Sequence, residues 1–412
     1  MLELKAVILI AIFLAFGLFI ILLCCLRLFR PYHTIIHMRQ TEHNQKLVDE
    51  CPMIKQYRPT PWMINGHIQT IFSDKCRKIP RINFTRILLP VSNNGQIALD
   101  WSTIPVRNQP VLLICHGLVG GSHTAYIRWM VKFAHKTLNL CCVIHHARGC
   151  GRSQLASPTI FSGVFTSDLH KTIQYIRSII GSHTPLFGLG YSYGAGTLTK
   201  YIGEQMDRCS LTAAISCCAS YDYVLTANKL EKGLNTRTYN KQLTQTLISY
   251  LKSHENQFKD STHLNLRDAY KARTMRQYDT ATAVPLFGYD DVIDYYKEGS
   301  SAQWIQHIRI PTLLLSALDD PICCIKGLPL SSVCENEYII AVLTKEGGHV
   351  GWLQGWWPAK YTWENTVIIE YIRAILKERN YVWHEDDTND EYEQLSIEFT
   401  NLEDESLEES YL

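Results

Sequence analysis

A serine flanked by glycines has the residue type and spacing of a catalytic nucleophile. The segment Gly190–Gly194 reads G-Y-S-Y-G, and it stands between the apolar run Pro185–Leu189 and a helix-length stretch, Thr197–Met206. A strand, a sharp turn and a helix in this order form a nucleophile elbow, which lifts the serine above a sheet. The N-terminus of the helix adds partial positive charge where an oxyanion develops. The pattern therefore predicts Ser192 as a nucleophile; the alternative is a tight turn whose serine has no function.

A second glycine-rich turn predicts an oxyanion hole. His116–Gly121 follows the apolar run Val111–Cys115. Its glycines allow a backbone N–H, which we assign to Leu118, to face a substrate carbonyl. Tyr193, the residue after the nucleophile, would supply the other N–H. His116 is interpreted as a structural residue of this turn rather than as the base.

The acid and the base are expected after the serine, in that order. Asp319 and Asp320 follow the apolar run Thr312–Ser316, and His349 follows the run Tyr338–Leu343 in a Gly-Gly-His loop. Both positions are at the carboxyl ends of predicted strands, where open α/β sheets place their sites. The histidines that compete with His349 for the role of the base, His145, His146 and His384, lie before the serine or beyond the fold. The pattern predicts His349 as the base and one of the two aspartates as the acid.

The runs that carry these residues predict a parallel sheet. They are short, continuous and rich in β-branched residues, which is typical of strands buried on both faces. The remaining predicted strands are Ile97–Trp101, Leu140–Ile144 and Leu211–Ser216, and the helix-length stretches between strands include Ala125–Thr137 and Phe165–Ile180. This alternation predicts an α/β, doubly wound, mostly parallel sheet. Residues 221–308 interrupt it as a helical insertion placed where a lid would lie.

The N-terminal segment predicts a membrane anchor. Residues 6–26 contain no charge and no proline, and a helix of this length spans about 30 Å, the thickness of a bilayer core. The run is longer than the apolar part of a cleaved signal peptide, which is the alternative. We expect a transmembrane anchor at 6–26, a juxtamembrane connector at 27–55, the catalytic domain at 56–380 and an acidic tail at 381–412. Arg27, Arg30 and Arg39 after the run favour a cytosolic catalytic domain.

Composition excludes several classes of protein. With 46% hydrophobic and 19% charged residues among 412, the chain is neither disordered nor fibrous. A formal net charge of +1 gives no basic excess for nucleic acid, although residues 385–412 contain twelve acidic and no basic residues. Eight of the 14 cysteines occur as adjacent pairs and no CxxC occurs, which argues against a disulfide framework and a zinc module. We expect mostly buried thiols.

Several segments together resemble one family. HGLVGGS, GYSYGAG, ALDDPI and GGHVGW are similar to the alpha/beta-hydrolase superfamily, and NGHIQT at 65–70 with FGY…DYY at 287–296 narrows the resemblance to family 4. That family holds the membrane-anchored abhydrolase domain-containing proteins one to three. The resemblance covers about residues 50–380. The Asp-Pro-Ile spacing of related hydrolases favours Asp320 over Asp319. The resemblance implies a type II topology, opposite to the charge count, and NGHIQT is interpreted as a structural turn.

The sequence therefore predicts a membrane-anchored serine hydrolase with the triad Ser192, Asp320 and His349. The resemblance implies lipid esters, either acylglycerols or phospholipids, as substrates. Two alternatives remain open: an acyltransferase or transacylase using the same triad, and a non-enzymatic lipid-binding membrane protein. The chemistry requires no metal or cofactor, and the expected partners are the lipid substrate and the bilayer. We expect a single-pass protein of the endoplasmic reticulum or another endomembrane.

Overall fold

The computed structural model describes residues 32–259 and 264–382, with scattered positions between 5 and 22. Most of the predicted anchor at 6–26, and the predicted tail from residue 383 onward, lie outside the described residues. Within the described part of the chain, no helix combines the length and the apolar character needed to cross a bilayer.

A mostly parallel, nine-stranded sheet organises the described residues. In chain order the strands are β1 (Tyr32–His33), β2 (Ile35–Met38), β3 (Gln56–Tyr57), β4 (Thr85–Val91), β5 (Gly95–Trp101), β6 (Val111–Cys115), β7 (Cys141–His146), β8 (Leu186–Tyr191), β9 (Ala213–Cys217), β10 (Thr312–Ala317) and β11 (Ile339–Thr344). Their order across the sheet is β2-β11-β10-β9-β8-β6-β7-β5-β4, and β1 pairs with β3 separately. The pairs β2–β11, β4–β5 and β5–β7 are antiparallel, and the others in the large sheet are parallel. The predicted α/β class and mostly parallel sheet are confirmed.

The described residues also form helices, six of which cover the two faces of the sheet. In chain order they are α1 (Glu42–Glu50), α2 (Gly66–Lys75), α3 (Ala125–Leu138), α4 (Ser167–Ile180), α5 (Tyr193–Gln205), α6 (Tyr223–Leu230), α7 (Lys241–Ser253), α8 (Leu266–Lys271), α9 (Met275–Ala281), α10 (Ala283–Phe287), α11 (Val292–Gly299), α12 (Leu330–Glu335) and α13 (Trp363–Glu378). Helices α1, α3 and α13 pack on one face, and α4, α5 and α12 pack on the other.

This double covering explains why the strands have continuous apolar sequences. In β6, Leu112 and Ile114 enter the core cluster under α3 and α13, whereas Val111 and Leu113 enter the cluster under α4 and α5. Successive side chains of a strand point to opposite faces, so a strand covered on both sides needs apolar residues at every position. The central strands could be predicted from sequence for this reason.

The sheet edges differ from the sequence prediction. Residues 35–38, predicted as part of a connector, form the edge strand β2, which pairs with β11, and α1 packs against α13. The predicted start of the domain at residue 56 is therefore too late by about one strand and one helix. At the other edge, β4 contains Pro90, which argues against a strand in sequence. An edge strand tolerates proline because one side of its backbone has no strand partner.

The predicted lid interval contains helices α6 to α11, inserted between β9 and β10. Their side chains form two apolar clusters of their own, which also include residues 150–164 from the loop after β7. The lid helices thus pack on one another and on that loop, above the carboxyl ends of the strands.

Candidate active site

Ser192 occupies the strained turn that the glycine pattern predicts. It lies between β8 and α5 with φ +54° and ψ −115°, a conformation that costs a non-glycine residue free energy and persists at functional turns. A Cβ at Gly190 would lie 2.5 Å from the Ala195 Cα, and a Cβ at Gly194 would lie 2.5 Å from the Cys115 carbonyl oxygen. Both glycines are therefore required by close backbone approaches around the serine.

A hydrogen-bonded chain links the serine to a histidine and an acid. His349 Nε2 lies 2.8 Å from Ser192 Oγ, and His349 Nδ1 lies 2.8 Å from Asp320 Oδ2. The other carboxylate oxygen, Asp320 Oδ1, accepts the N–H groups of Ile322 (2.7 Å) and Cys323 (2.9 Å). Because both oxygens of Asp320 lie where they accept hydrogen bonds, we assign the imidazole proton to Nδ1. Nε2 is then free to accept the proton of Ser192.

The neighbouring Asp319 has a different position. Its Oδ1 accepts the Gly348 N–H at 2.8 Å, and its carboxyl lies against Gly66, where a Cβ would be 2.8 Å from the Asp319 Cγ. Burial raises the pKa of Asp319 above its ordinary value. Asp319 thus holds the loop that carries His349, whereas Asp320 contacts the imidazole itself.

Two lid residues also fix the backbone of the loop that carries the acid. Lys229 in α6 donates to the backbone carbonyls of Asp320 and Cys323, the latter at 2.8 Å, and the Asn235 side chain donates to the Pro321 carbonyl at 3.0 Å. Nothing in the local sequence around Lys229 indicates this contact, because its acceptors are more than 90 residues away.

The segment 65–70, interpreted from sequence as a structural turn, positions the catalytic loop. Asn65 caps α2 by accepting the Ile68 N–H at 3.0 Å. One turn later, Thr70 Oγ1 accepts the His349 N–H at 2.8 Å and donates to the Gly66 carbonyl at 2.7 Å. The threonine hydroxyl therefore fixes the backbone of His349 from the other end of the chain.

Removal of that hydroxyl should impair turnover. We expect Thr70→Val, which keeps the shape of the side chain, to lower kcat about fivefold with little change in KM, because a net hydrogen bond contributes about 1 kcal/mol to positioning His349. Steady-state kinetics on a soluble ester measure the split. Thr246→Val is the matched control, since that hydroxyl also lines the cavity but donates only within α7, to the Gln242 carbonyl at 3.0 Å. Equal kcat in the two variants would contradict the positioning role.

The predicted oxyanion donors lie beside the serine. Leu118 and Tyr193 line the same cavity as Ser192, and Tyr193 is the first residue of α5, whose N–H has no acceptor within the helix. A Cβ at Gly117 would lie 3.4 Å from the Ser192 Cβ, so the glycine-rich turn is close to the nucleophile. The two N–H groups remain our assignment for the oxyanion hole.

The competing histidines that the structure describes are buried structural groups. His116 Nε2 accepts the Ala147 N–H at 3.1 Å, and burial lowers the pKa of His116 to about 3, so its ring is neutral and fixed. His145 bonds Thr172 at 2.9 Å and His146 bonds Asp100 at 2.8 Å. His384 lies outside the described residues.

One group near the triad has the composition of a metal site. Ligand atoms of Cys218, Asp320 and His349 lie within 4.8 Å of one another. Burial raises the pKa of the Cys218 thiol well above its ordinary value, and its sulfur accepts the Val350 N–H at 3.3 Å. A metal requires a thiolate and a free imidazole nitrogen, whereas this sulfur stays protonated and Nδ1 is bonded to Asp320. The donor set fits the hydrogen-bonded chain better than a metal.

Ser192 and His349 open into a cavity of about 850 Å³. Its mouth is formed by exposed side chains of α2 and of the segment before α7, among them Ile71 (54% exposed) and Leu234 (66% exposed). Leu118, Val119 and lid leucines line the middle. The far end is lined by side chains of α9 and α11, of which Tyr278, Tyr295 and Tyr296 are buried. This volume is sufficient for a drug-sized or larger ligand.

Known proteins are similar to this chain in sequence. The family model for the alpha/beta hydrolase fold matches residues 110–342. The embryogenesis-associated protein EMB8 of Picea glauca is 31% identical, covering 78% of this chain and 73% of its own. Phospholipase ABHD3 of Homo sapiens is 29% identical over 80% of this chain and 82% of its own. A monoacylglycerol lipase of Saccharomyces cerevisiae is 34% identical over 71% of this chain and 75% of its own.

Proposed function

Because the chain belongs to the alpha/beta-hydrolase family and is a carboxylic ester hydrolase, we propose that it cleaves lipid esters through an acyl-enzyme on Ser192. The observation that carries the proposal is the hydrogen-bonded chain from Ser192 through His349 to Asp320 at the wall of a largely apolar cavity. The phospholipase and the monoacylglycerol lipase among the relatives support a lipid rather than a soluble ester.

The mechanism follows from the roles of these atoms. His349 Nε2 accepts the proton of Ser192 as Oγ attacks the ester carbonyl, and Asp320 stabilises the resulting imidazolium. The N–H groups of Leu118 and Tyr193 stabilise the oxyanion of the tetrahedral intermediate. Collapse of this intermediate expels the alcohol, which takes the proton from Nε2. An acyl-serine remains on the enzyme. Water, deprotonated by the same nitrogen, then releases the fatty acid.

Product identification tests this function. The full-length enzyme and its Ser192→Ala variant are incubated with a monoacylglycerol and a phospholipid in mixed micelles, with a second alcohol present, and products are identified by mass spectrometry. We expect free fatty acid from the wild type and none from the variant. Ester formation on the added alcohol as the main product would favour a transacylase. Absence of both products, or fatty acid release by Ser192→Ala, would contradict the proposal.

We also propose that the enzyme acts at a membrane, held by the apolar segment 6–26. The charge-free sequence of that segment supports an anchor. Beside α2, Trp62 stacks on Trp357 and both rings contact Phe72 of that helix, and Trp356 and Trp357 are 59% and 68% exposed. Exposed indole groups favour the interfacial region of bilayers. A lipid could then enter the cavity from the bilayer without crossing water.

Loss of the anchor should separate delivery from chemistry. A truncated protein must begin before Tyr32, because a start near Val48 would remove β2 from the sheet edge. We expect a protein beginning at residue 28 to hydrolyse p-nitrophenyl butyrate like the full chain. Its hydrolysis of lipid embedded in vesicles should fall at least about tenfold, since binding becomes weak and reversible. Equal loss on both substrates would indicate a structural role of the segment, and equal retention would mean that delivery does not need it.

A further inference from the structure

The far end of the cavity contains a partly buried carboxyl group. Asp279 lies in α9 and lines the cavity, and its Oδ2 accepts the Tyr296 O–H at 2.6 Å. The nearby Arg276 does not pair with it, because Arg276 is bound to Glu231 at 3.0 Å. Burial raises the pKa of Asp279 to about 7, so near neutral pH the carboxyl group both donates and accepts hydrogen bonds.

Two tyrosine hydroxyls of the same cavity lack hydrogen-bond partners within the described residues. The side chain of Tyr278 is 2% exposed, lines the cavity, and its hydroxyl has no hydrogen-bond partner within the described residues. Tyr223 also lines the cavity, and its hydroxyl likewise has no hydrogen-bond partner within the described residues. Burial raises the pKa of both phenols, and the negative charge of Asp279 adds to the shift. The ring of Tyr223 also contacts that of Tyr296, with ring centroids 6.3 Å apart, and Tyr296 is the residue whose hydroxyl is bonded to Asp279. Buried polar groups without partners cost free energy unless a ligand satisfies them.

The polar end is also close to the nucleophile. A Cβ at Gly196, one turn after Ser192 in α5, would lie 3.4 Å from the Tyr223 hydroxyl. A Cβ at Gly163 would lie 2.4 Å from that hydroxyl, so the loop after β7 leaves space for the phenol only because it has glycine there. An ester bound at Ser192 can therefore extend one of its two parts to these hydroxyls.

We propose that Asp279, Tyr223 and Tyr278 form a subsite for the free hydroxyl groups of the substrate's alcohol part, as in a glyceryl monoester. This inference rests on the proposed function and names the substrate class of the same site. The acyl chain then runs along the leucines toward the apolar mouth, and the small polar part occupies the buried end. Two phenol O–H groups require oxygen partners, which a polyol supplies and a trialkylammonium group does not.

Substrate selectivity tests the subsite. Initial rates are measured for 1-lauroylglycerol, ethyl laurate and lauroyl lysophosphatidylcholine, which share one acyl chain. We expect Asp279→Asn and Tyr278→Phe to lower kcat/KM for the glyceryl ester about 10- to 100-fold, and that for ethyl laurate less than about threefold. Asp294→Asn is the matched control, since that lid carboxylate is exposed and pairs with Lys297 at 3.3 Å.

The other outcomes overturn the subsite in distinct ways. An equal fall on all three esters, with a lowered Tm, would assign Asp279 to lid stability alone. A selective loss of activity on lauroyl lysophosphatidylcholine would indicate that the far end of the cavity binds a cationic head group instead. A binding arm of the test uses inactive proteins: each ester is titrated into Ser192→Ala and into Ser192→Ala/Asp279→Asn. This arm gives a result even if the wild type hydrolyses none of the three esters. In that arm, tighter glyceryl than ethyl ester binding that depends on Asp279 supports the subsite even if the proposed reaction fails, and its absence refutes the subsite.

Discussion

Replacement of Ser192 by alanine is expected to abolish covalent labelling by a fluorophosphonate and to lower ester hydrolysis by at least about 10⁴-fold. Ser192 Oγ is the oxygen bonded to His349 Nε2, and the elbow presents it to the cavity. Alanine at this position has the same positive-φ strain as serine, so the Tm should change little. Gel fluorescence after labelling, with thermal unfolding of the same samples, measures both results.

Ser220→Ala provides the matched control for this prediction. Ser220 also lines the cavity, but its hydroxyl donates to Thr226 at 2.8 Å rather than to a histidine. We expect full labelling of this variant. His349→Ala should lower turnover nearly as much as Ser192→Ala, because the nucleophile and the base act as a unit. Labelling that survives in Ser192→Ala would move the nucleophile elsewhere and refute the triad.

Asparagine at position 320 should lower kcat by about 10⁴-fold, as for the corresponding change in serine proteases. The Asn oxygen can still accept the N–H groups of Ile322 and Cys323, so the loop should keep its shape. The amide NH₂ would then face His349 Nδ1 and force the imidazole into the wrong tautomer.

Asp319→Asn is the comparison that makes this prediction specific. Its amide oxygen can still accept the Gly348 N–H, and burial already disfavours a charge at this position. We expect kcat to fall less than about tenfold. Both variants are compared by kcat on a soluble ester and by far-UV circular dichroism. If Asp319→Asn were the severe change and Asp320→Asn the mild one, the acid would be the neighbouring residue.

Local patterns of the sequence were sufficient for the centre of the fold and for the order of the candidate site residues. The strands β6, β8, β10 and β11 are continuous apolar runs, and the turns after them carry the residues that the structure brings together. The parallel arrangement sends their carboxyl ends to one edge. Serine, acid and histidine could therefore be predicted without any knowledge of which strands are neighbours.

The choice between Asp319 and Asp320 required the tertiary structure. From the residues alone the two are equivalent, and only the family resemblance favoured Asp320. In the structure one carboxyl group points to the imidazole and the other to the Gly348 N–H. This difference depends on how the loop turns between β10 and the lid, where Lys229 contacts it.

Contacts between distant parts of the chain also had no signal in sequence. Thr70 bonds His349 across 279 positions, and the edge strand β2 pairs with β11, which lies some 300 residues later. The polar far end of the cavity combines residues of α6 and α9 that are unremarkable in isolation. Hydrophobic periodicity and turn chemistry are local, so the sequence by itself determined the α/β class, the elbow and the site order. Which distant hydroxyl, lysine or carboxyl meets the site is decided by long-range packing, and only the tertiary structure specifies it.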